Sequence, residues 1–199
     1  KIQNDVDALY ILGDFFDAWI GDDDDAPLNA DVAAELKRVS QNGTKIFLMH
    51  GNRDFLLGEK FAAQAGATII AENTVIDLYG QPTLLLHGDE LCTGDQEYIV
   101  FRKQVRSPQW QAQVLAQPLA ARRALAAQMR EKSQTMNSLK AEDIMDVTQD
   151  EVVRVMEDAG VTRLIHGHTH RPARNELQIH GKPAERIVLG DWHDFAWAL

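Results

Sequence analysis

The sequence contains a single cysteine and no long apolar run. Cys92 alone cannot form a disulfide within the chain, and it cannot supply a multi-cysteine zinc site. A membrane-spanning helix needs about 18 to 20 consecutive apolar residues, and no stretch approaches that length. With 199 residues, 45% of them hydrophobic, the chain has an ordinary globular composition and enough length to bury a core. These features predict a single domain that does not cross a bilayer.

Positive charge is scarce overall but concentrated in one segment. The formal net charge of −10 argues against a general nucleic-acid-binding protein. Residues 101–140 carry eight basic side chains and one acidic side chain, so this segment is +7 and the remainder is −17. The segment fits either a specific anionic partner, such as a phosphate group or an anionic lipid surface, or a solvated basic helix face. The acidic run 22–25 is expected to be a solvated loop rather than a cation site.

Short apolar runs that end in glycine and a polar residue recur along the chain. They cover residues 8–12, 45–49, 83–86, 163–165 and 186–189. Apolar runs without alternation are typical of strands buried on both faces. Glycine directly after a strand lets the backbone turn sharply and approach a ligand closely.

Helix-like patterns lie between some of these runs, over residues 31–40, 58–64 and 148–158, and the third is expected to begin with a cap at Thr148. Alternating strands and helices predict an α/β fold. Two hairpins are expected, so the sheets should be mixed: 75–79 with 83–86 across the turn 80–82, and 175–179 with 186–189 across the turn 180–183. The alanine- and arginine-rich stretch of about 97–145 is predicted to be a helical insertion interrupted at two prolines.

Polar side chains stand where the predicted strands end, and such ends border the ligand crevice of an α/β sheet. They supply a carboxylate, an amide and three imidazoles: Asp14, Asn52, His87, His168 and His170. This mixture suits Mn²⁺, Fe²⁺ or Zn²⁺ better than Ca²⁺ or Mg²⁺ alone. Two such ions about 3.5 to 4 Å apart are the usual device for hydrolysing a phosphate ester or anhydride. Each residue alone could be an ordinary turn or core residue, but their ordered occurrence favours a metal site.

Four motifs occur in order along the chain. They are Gly13-Asp14-Phe15-Phe16-Asp17, Gly51-Asn52-Arg53-Asp54, His87-Gly88-Asp89 and Gly167-His168-Thr169-His170. This set resembles the calcineurin-like metallophosphoesterases. The resemblance implies a four-layer α/β/β/α sandwich with mixed sheets, a helical lid and a dinuclear site that commonly holds two Mn²⁺ ions. By motif position, Asp14 is expected to bridge the ions, with Asn52, His87 and His168 on one ion and His170 on the other.

Within this family, a closer resemblance is to the lipid A pathway hydrolases that cleave the diphosphate of UDP-2,3-diacylglucosamine, releasing UMP and 2,3-diacylglucosamine 1-phosphate. The segments LYILGDFFDAWIGDDD, HGNRDFLLG, HGDELCT, IMDV and LIHGHTHRP carry it. Arg53 supports this choice, because ordinary family members carry a histidine there that helps protonate the leaving group. Arginine cannot donate a proton near neutral pH, but it can grip a diphosphate with paired hydrogen bonds.

The resemblance also implies which residues act on the substrate. Asp14, Asn52, Arg53 and His168 are the expected catalytic residues. The expected substrate contacts are Asn52, Arg53, Asp95, Ser133, Asn137, Lys140 and His168. The spacing of Ser133, Asn137 and Lys140 would place them on one helix face; a solvated face is the alternative. The implied partners are a nucleotide-activated glycolipid and the inner-membrane surface, with a cytoplasmic, peripheral location.

One expected motif is missing. No Asp-x-His triplet precedes Asp14, the chain begins at Lys1, and its last residues, 196–199, look like the middle of a strand. We expect that the N-terminal strand and the C-terminal end are absent, and that this chain alone lacks activity or binds one ion poorly. Two alternatives stay open: a general metallophosphoesterase acting on soluble nucleotides or phosphoproteins, and a non-catalytic scaffold of the same family.

Overall fold

The computed structural model describes residues 6–139, 146–192 and 198–199. Within them the strands are β1 Ala8–Ile11, β2 Lys45–Leu48, β3 Ala67–Ile69, β4 Thr74–Leu78, β5 Gln81–Leu85, β6 Arg163–His166, β7 Ala173–Ile179 and β8 Lys182–Val188. The α-helices are α1 Pro27–Gln41, α2 Glu59–Ala65, α3 Gln96–Val105, α4 Pro108–Leu115, α5 Leu119–Leu139 and α6 Gln149–Ala159. The chain divides into two compact units, Lys1–Ala71 with Gln104–Ser133, and Glu72–Lys103 with Gln134–Leu199.

The first unit is built on a parallel sheet in the order β1-β2-β3. Helices α1 and α2 alternate with these strands, as the sequence pattern predicts. Proline in its first turn lets α1 begin at Pro27, four residues before the predicted start. The core includes an aromatic cluster in which Phe16, Trp19 and Phe61 have ring centroids 4.5 to 5.4 Å apart.

The second unit is built on a five-stranded sheet in the order β4-β5-β6-β8-β7. Strands β5, β6 and β8 run parallel, whereas β4 and β7 pair antiparallel at the edges. The expected mixing of strand directions is therefore found in this sheet, while the described strands of the first unit are all parallel. The amphipathic helix α6 buries Val152 and Met156 in a core that also contains Leu84 and Leu164.

Both predicted hairpins form, with shorter turns than expected. The β4–β5 turn consists of Tyr79 and Gly80, with φ of 54° and 88°, and the β7–β8 turn of His180 and Gly181, with φ of 49° and 73°. Two-residue turns with positive φ match the twist of antiparallel strands. As a result, Pro183 lies within β8, the strand next to the edge strand β7, and it pairs in register with Gln178. Its predicted place in the turn is therefore wrong.

The predicted helical stretch contains α3, α4 and α5, separated near Pro108 and Pro118. Pro108 opens α4, and Ser107 caps that helix by accepting a hydrogen bond from the Trp110 N–H (3.3 Å). Helix α6 begins as predicted, but its expected side-chain cap is wrong: the Thr148 hydroxyl instead hydrogen-bonds with that of Thr93 (2.8 Å). Among the described residues, no helix has the length and apolar character to cross a bilayer.

Candidate metal and substrate site

In the first unit, the predicted ligands lie on two loops that follow neighbouring strands. Asp14 follows β1 and Asn52 follows β2, and these strands are paired in parallel, so both loops start at the same sheet edge. The loops touch directly, because the Oδ1 atom of Asp14 accepts a hydrogen bond from the backbone N–H of Arg53 (2.9 Å). The structure therefore brings the first two motifs together.

Asp54 ties these loops to each other. Its buried carboxylate, 1% exposed, accepts hydrogen bonds from four backbone N–H groups: those of Asp14 (3.2 Å), Phe15 (2.7 Å), Phe16 (3.4 Å) and Gly51 (2.7 Å). Charge-assisted bonds of this kind are stronger than neutral ones. The sequence analysis did not assign a role to Asp54, although it closes the motif that begins at Gly51.

Glycine is required at position 51. A Cβ atom there would lie 2.2 Å from both the backbone nitrogen and the Oδ1 atom of Asp14. No side chain fits in that space, so the β2 loop can approach Asp14 only with glycine.

Arg53 is held beside Asp14 by a second carboxylate. Its Nη1 atom donates to Asp17 Oδ1 (3.1 Å), and its Nε atom lies 3.7 Å from Asp14 Oδ2. The side chain is 40% exposed, so the guanidinium is accessible from solvent. Asp17 thus orients the one cation that the sequence assigns to diphosphate binding.

In the second unit, His87 and His168 follow β5 and β6, which are also parallel neighbours. The His87 side chain is buried, and the two ring centroids lie 5.0 Å apart with the planes inclined by 66°. Burial, with a further contribution from His87, lowers the pKa of His168 to about 3. Its imidazole is therefore neutral at physiological pH, which is the form that binds metal ions.

Three of the predicted ligands have a strained backbone conformation. Asp14, His168 and His170 have φ of 52°, 65° and 54°, in the left-handed region that non-glycine residues rarely adopt. Such strain persists only where the surrounding structure enforces it, and it is typical of functional sites. His170 is partly exposed, and its Nδ1 atom lies 3.5 Å from Asp191 Oδ2.

A buried polar network lies next to His87 in the second unit. Asp89 is fully buried, and its Oδ2 atom accepts hydrogen bonds from the Tyr98 hydroxyl (2.5 Å) and from Arg102 Nε (2.9 Å). Arg102 also donates to Glu72 Oε2 (2.5 Å). Burial alone would raise the pKa of Asp89, but His87, Arg102 and His168 together hold it well below its usual range. Asp89 is therefore ionised at neutral pH.

This network was not predicted from the sequence. Asp89 was visible as the last residue of the His87-Gly88-Asp89 motif, but Tyr98 and Arg102 gave no signal beyond their i, i+4 spacing on α3. Local motifs in the sequence indicate side chains that could bind a ligand. They do not indicate which residues, distant in the sequence, hold those side chains in place.

The predicted substrate contacts are only partly described. Asp95 is buried, and its Oδ1 atom accepts from the Tyr98 N–H (3.0 Å) at the start of α3. Ser133 is exposed on α5. The side chain of Asn137 and the whole of Lys140 lie outside the described residues. The shared helix face of these three residues therefore stays a prediction.

The basic segment and the acidic run 22–25 neutralise each other in part. Arg122 is 3% exposed and donates to the carbonyl oxygen of Ile20 (2.6 Å) and to Asp23 Oδ1 (2.7 Å), while Arg123 pairs with Asp24 (2.6 Å). The acidic run is a loop in which Asp23 and Asp25 are exposed, as expected, although its carboxylates also bind arginines. The basic segment is not simply a solvated helix face, because four of its arginines pair with carboxylates of the chain: Arg102, Arg122, Arg123 and Arg130.

Comparison with known proteins gives one family and several named relatives. The calcineurin-like phosphoesterase family matches residues 1–172. A UDP-2,3-diacylglucosamine hydrolase of Cellvibrio japonicus is 72% identical over 192 residues, covering 96% of this chain and 80% of the relative. Proteins of the same name from Marinobacter nauticus and Pseudomonas aeruginosa are 57% and 53% identical over 194 residues, covering 98% of this chain and 80% and 81% of the relatives.

Proposed function

The chain belongs to the calcineurin-like phosphoesterase family, and from that membership we propose that it is a UDP-2,3-diacylglucosamine hydrolase. The reaction is metal-dependent cleavage of the diphosphate to UMP and 2,3-diacylglucosamine 1-phosphate. The observation that carries this conclusion is the identity of 53 to 72% with three hydrolases of that name, each over nearly the whole chain. The predicted family and its α/β fold class are confirmed.

The donor set fits a pair of divalent metal ions. We propose Asp14 and Asn52 of the first unit and His87, His168 and His170 of the second unit as ligands. The neutral ring of His168 supports this assignment, because neutral imidazole is the form that binds metal ions. The positive φ of Asp14 supports it as well, because such backbone strain is typical of functional sites. When bound, two ions such as Mn²⁺ would lower the pKa of a water molecule and neutralise charge on the phosphoryl oxygens.

Arg53 is proposed to grip the diphosphate. Its guanidinium cannot act as a proton donor near neutral pH, so its part is to bind phosphoryl oxygens and stabilise the charge that builds up on them. Asp17 holds the guanidinium through Nη1. With attack on the α-phosphorus, which becomes part of UMP, the bridging oxygen leaves on 2,3-diacylglucosamine 1-phosphate. This oxygen belongs to a phosphate of low pKa, so its departure does not depend on protonation by a side chain at this position.

The remaining substrate contacts are proposed for Asp95, Ser133, Asn137 and Lys140. Ser133 is exposed and therefore accessible to a ligand. Helix α5, on which Ser133 and Asn137 lie, is fixed to the first unit by the buried Arg122. The position of this helix is thus set by internal bonds rather than by the substrate.

Because the substrate carries acyl chains, we propose that the protein works in the cytoplasm, peripherally on the inner membrane. The apolar residues of α4 contribute little to such docking. Val114 is buried, and Trp110 packs on the first unit's core, with its ring centroid 6.0 Å from that of Phe55. Leu115, 42% exposed, is the described α4 residue that presents an apolar side chain to solvent.

Release of UMP tests the proposed function. Purified intact protein with Mn²⁺ should release UMP from UDP-2,3-diacylglucosamine, and chelation of the metal should stop it. Asp14→Asn should reduce the rate by at least about 10²-fold, since it alters a metal ligand, whereas the exposed Asp31→Asn should not. Equal release from soluble UDP-sugars would favour a general phosphoesterase. No release and no bound metal would favour a scaffold.

A further inference from the structure

Tyr98 joins two loops of the second unit through its two ends. Its hydroxyl donates to the buried Asp89 (2.5 Å), two residues after His87. Its ring lies nearly parallel to that of His168, with centroids 6.2 Å apart and planes inclined by 25°. One side chain on α3 therefore contacts both the loop after β5 and the loop after β6.

Several bonds hold Tyr98 in this place. Its backbone N–H donates to Asp95 Oδ1 (3.0 Å), which fixes the first turn of α3. Arg102, one turn further along, donates from Nε to the same Asp89 oxygen (2.9 Å) and anchors α3 to Glu72. Tyr98 is thus held by hydrogen bonds at its backbone N–H and at its hydroxyl, and Arg102 holds the helix on which it lies.

The contact restricts one particular ring. The ring of His168 contacts two other rings, that of His87 at 5.0 Å and 66° and that of Tyr98 at 6.2 Å and 25°. Edge-on packing against one ring and parallel packing against the other restrict the plane of the His168 imidazole. The backbone of His168, at φ of 65°, is also held in a conformation that non-glycine residues rarely adopt.

From this juxtaposition we propose that Tyr98 is a positioning residue, which sets the orientation of the His168 ring through its tie to Asp89. The inference rests on the proposed function in so far as His168 binds a metal ion. Tyr98 acts on His168 and not on the substrate. Partners that orient a ligating histidine are worth about 10- to 100-fold in metal affinity.

Two substitutions distinguish the contribution of the Tyr98 hydroxyl from that of its ring. Tyr98→Phe removes the bond to Asp89 and should raise the Mn²⁺ dissociation constant about 10-fold, while Tyr98→Leu removes the ring as well and should raise it about 100-fold. Because the effect acts through metal binding, kcat at saturating Mn²⁺ should return to within about twofold of the unsubstituted protein. Tyr79→Phe and Tyr79→Leu are matched controls, since Tyr79 is 95% exposed in the same unit.

A second readout does not depend on metal or activity. In metal-free protein, Tyr98→Leu should shift the ring proton resonances of His168, assigned with His168→Gln, beyond any shift in the Tyr79→Leu control. Unchanged resonances and unchanged Mn²⁺ affinity would overturn the proposal. A raised KM together with unchanged Mn²⁺ affinity would overturn it too, because it would place Tyr98 on the substrate. If the unsubstituted protein binds no Mn²⁺, the proposed function fails, and the resonances alone still decide the role of Tyr98.

Discussion

The two units hold their predicted ligands by different means. In the first unit, one buried carboxylate, Asp54, accepts four backbone N–H groups and so fixes the course of two loops. In the second unit, side chains hold the ligands: Tyr98 and Arg102 bind Asp89, and the rings of His87 and Tyr98 contact that of His168. The first arrangement fixes the backbone of two loops, and the second restricts the orientation of the His168 imidazole. Substitutions in the first should therefore lower the free energy of unfolding most. Substitutions in the second should mainly leave the Asp89 charge without its partner or change the orientation of the His168 ring.

The largest expected effect is at Asp54. Asp54→Ala leaves four backbone donors of the first unit without their acceptor, and it should lower the free energy of unfolding by about 4 kcal/mol. Urea denaturation measures this change. Asp25→Ala, at a side chain that is 77% exposed, is the control and should change it by less than about 0.5 kcal/mol. A loss below about 1 kcal/mol at Asp54 would show that the loops do not depend on it.

Arg102 tests the charge network of the second unit. Arg102→Met removes the cation that faces the buried Asp89 and should cost about 3 kcal/mol of unfolding free energy. Adding Asp89→Asn to the same chain removes the unpaired charge, so the double variant should regain at least half of that loss. A double variant no more stable than Arg102→Met would mean that packing, and not charge, holds α3 in place.

Arg122 is the exception in the first unit, because there a buried arginine side chain connects distant segments. Arg122→Met should lower the unfolding free energy by about 2 kcal/mol, since it removes bonds to Asp23 and to two backbone carbonyls. The neighbouring Arg123→Met is the matched control, and thermal unfolding should show no measurable change for it. Equal losses at both positions would contradict the distinction between buried and exposed arginines.

His166 makes the second unit sensitive to acid. Burial lowers the pKa of His166 to about 4, whereas an unfolded histidine has a pKa of about 6.5. Between these values the unfolded state binds a proton and the folded state does not, so stability falls as the pH falls. In metal-free protein this group should contribute a slope of about 1.4 kcal/mol per pH unit. His166→Gln should flatten the slope between about pH 6.5 and pH 4; an identical slope would contradict the assignment.

The sequence allowed prediction of the elements and of each loop of the site, because strand ends and motifs are local features. Asp14 beside the loop of Asn52, and His87 beside His168, follow from the parallel strands that carry them. Turn lengths were less predictable, since positive φ at Tyr79 and His180 depends on strand twist.

Contacts between distant segments could not be predicted from local pattern. Arg122 and Asp23 are 99 residues apart, so their charges looked like two separate features. The same holds for Asp54, whose neighbours Phe15 and Phe16 are about 40 positions away. Charge patterns show which residues need partners, and only the fold shows which partners they have.

The number of Mn²⁺ ions bound per chain tests the central claim, that Asp14 and His87 are metal ligands of a metal-dependent hydrolase. Equilibrium dialysis of the intact protein should give two ions. Asp14→Asn, in the first unit, and His87→Gln, in the second, should each lower that number or weaken binding by at least about 10-fold. Two ions bound with unchanged affinity in both variants would contradict the account.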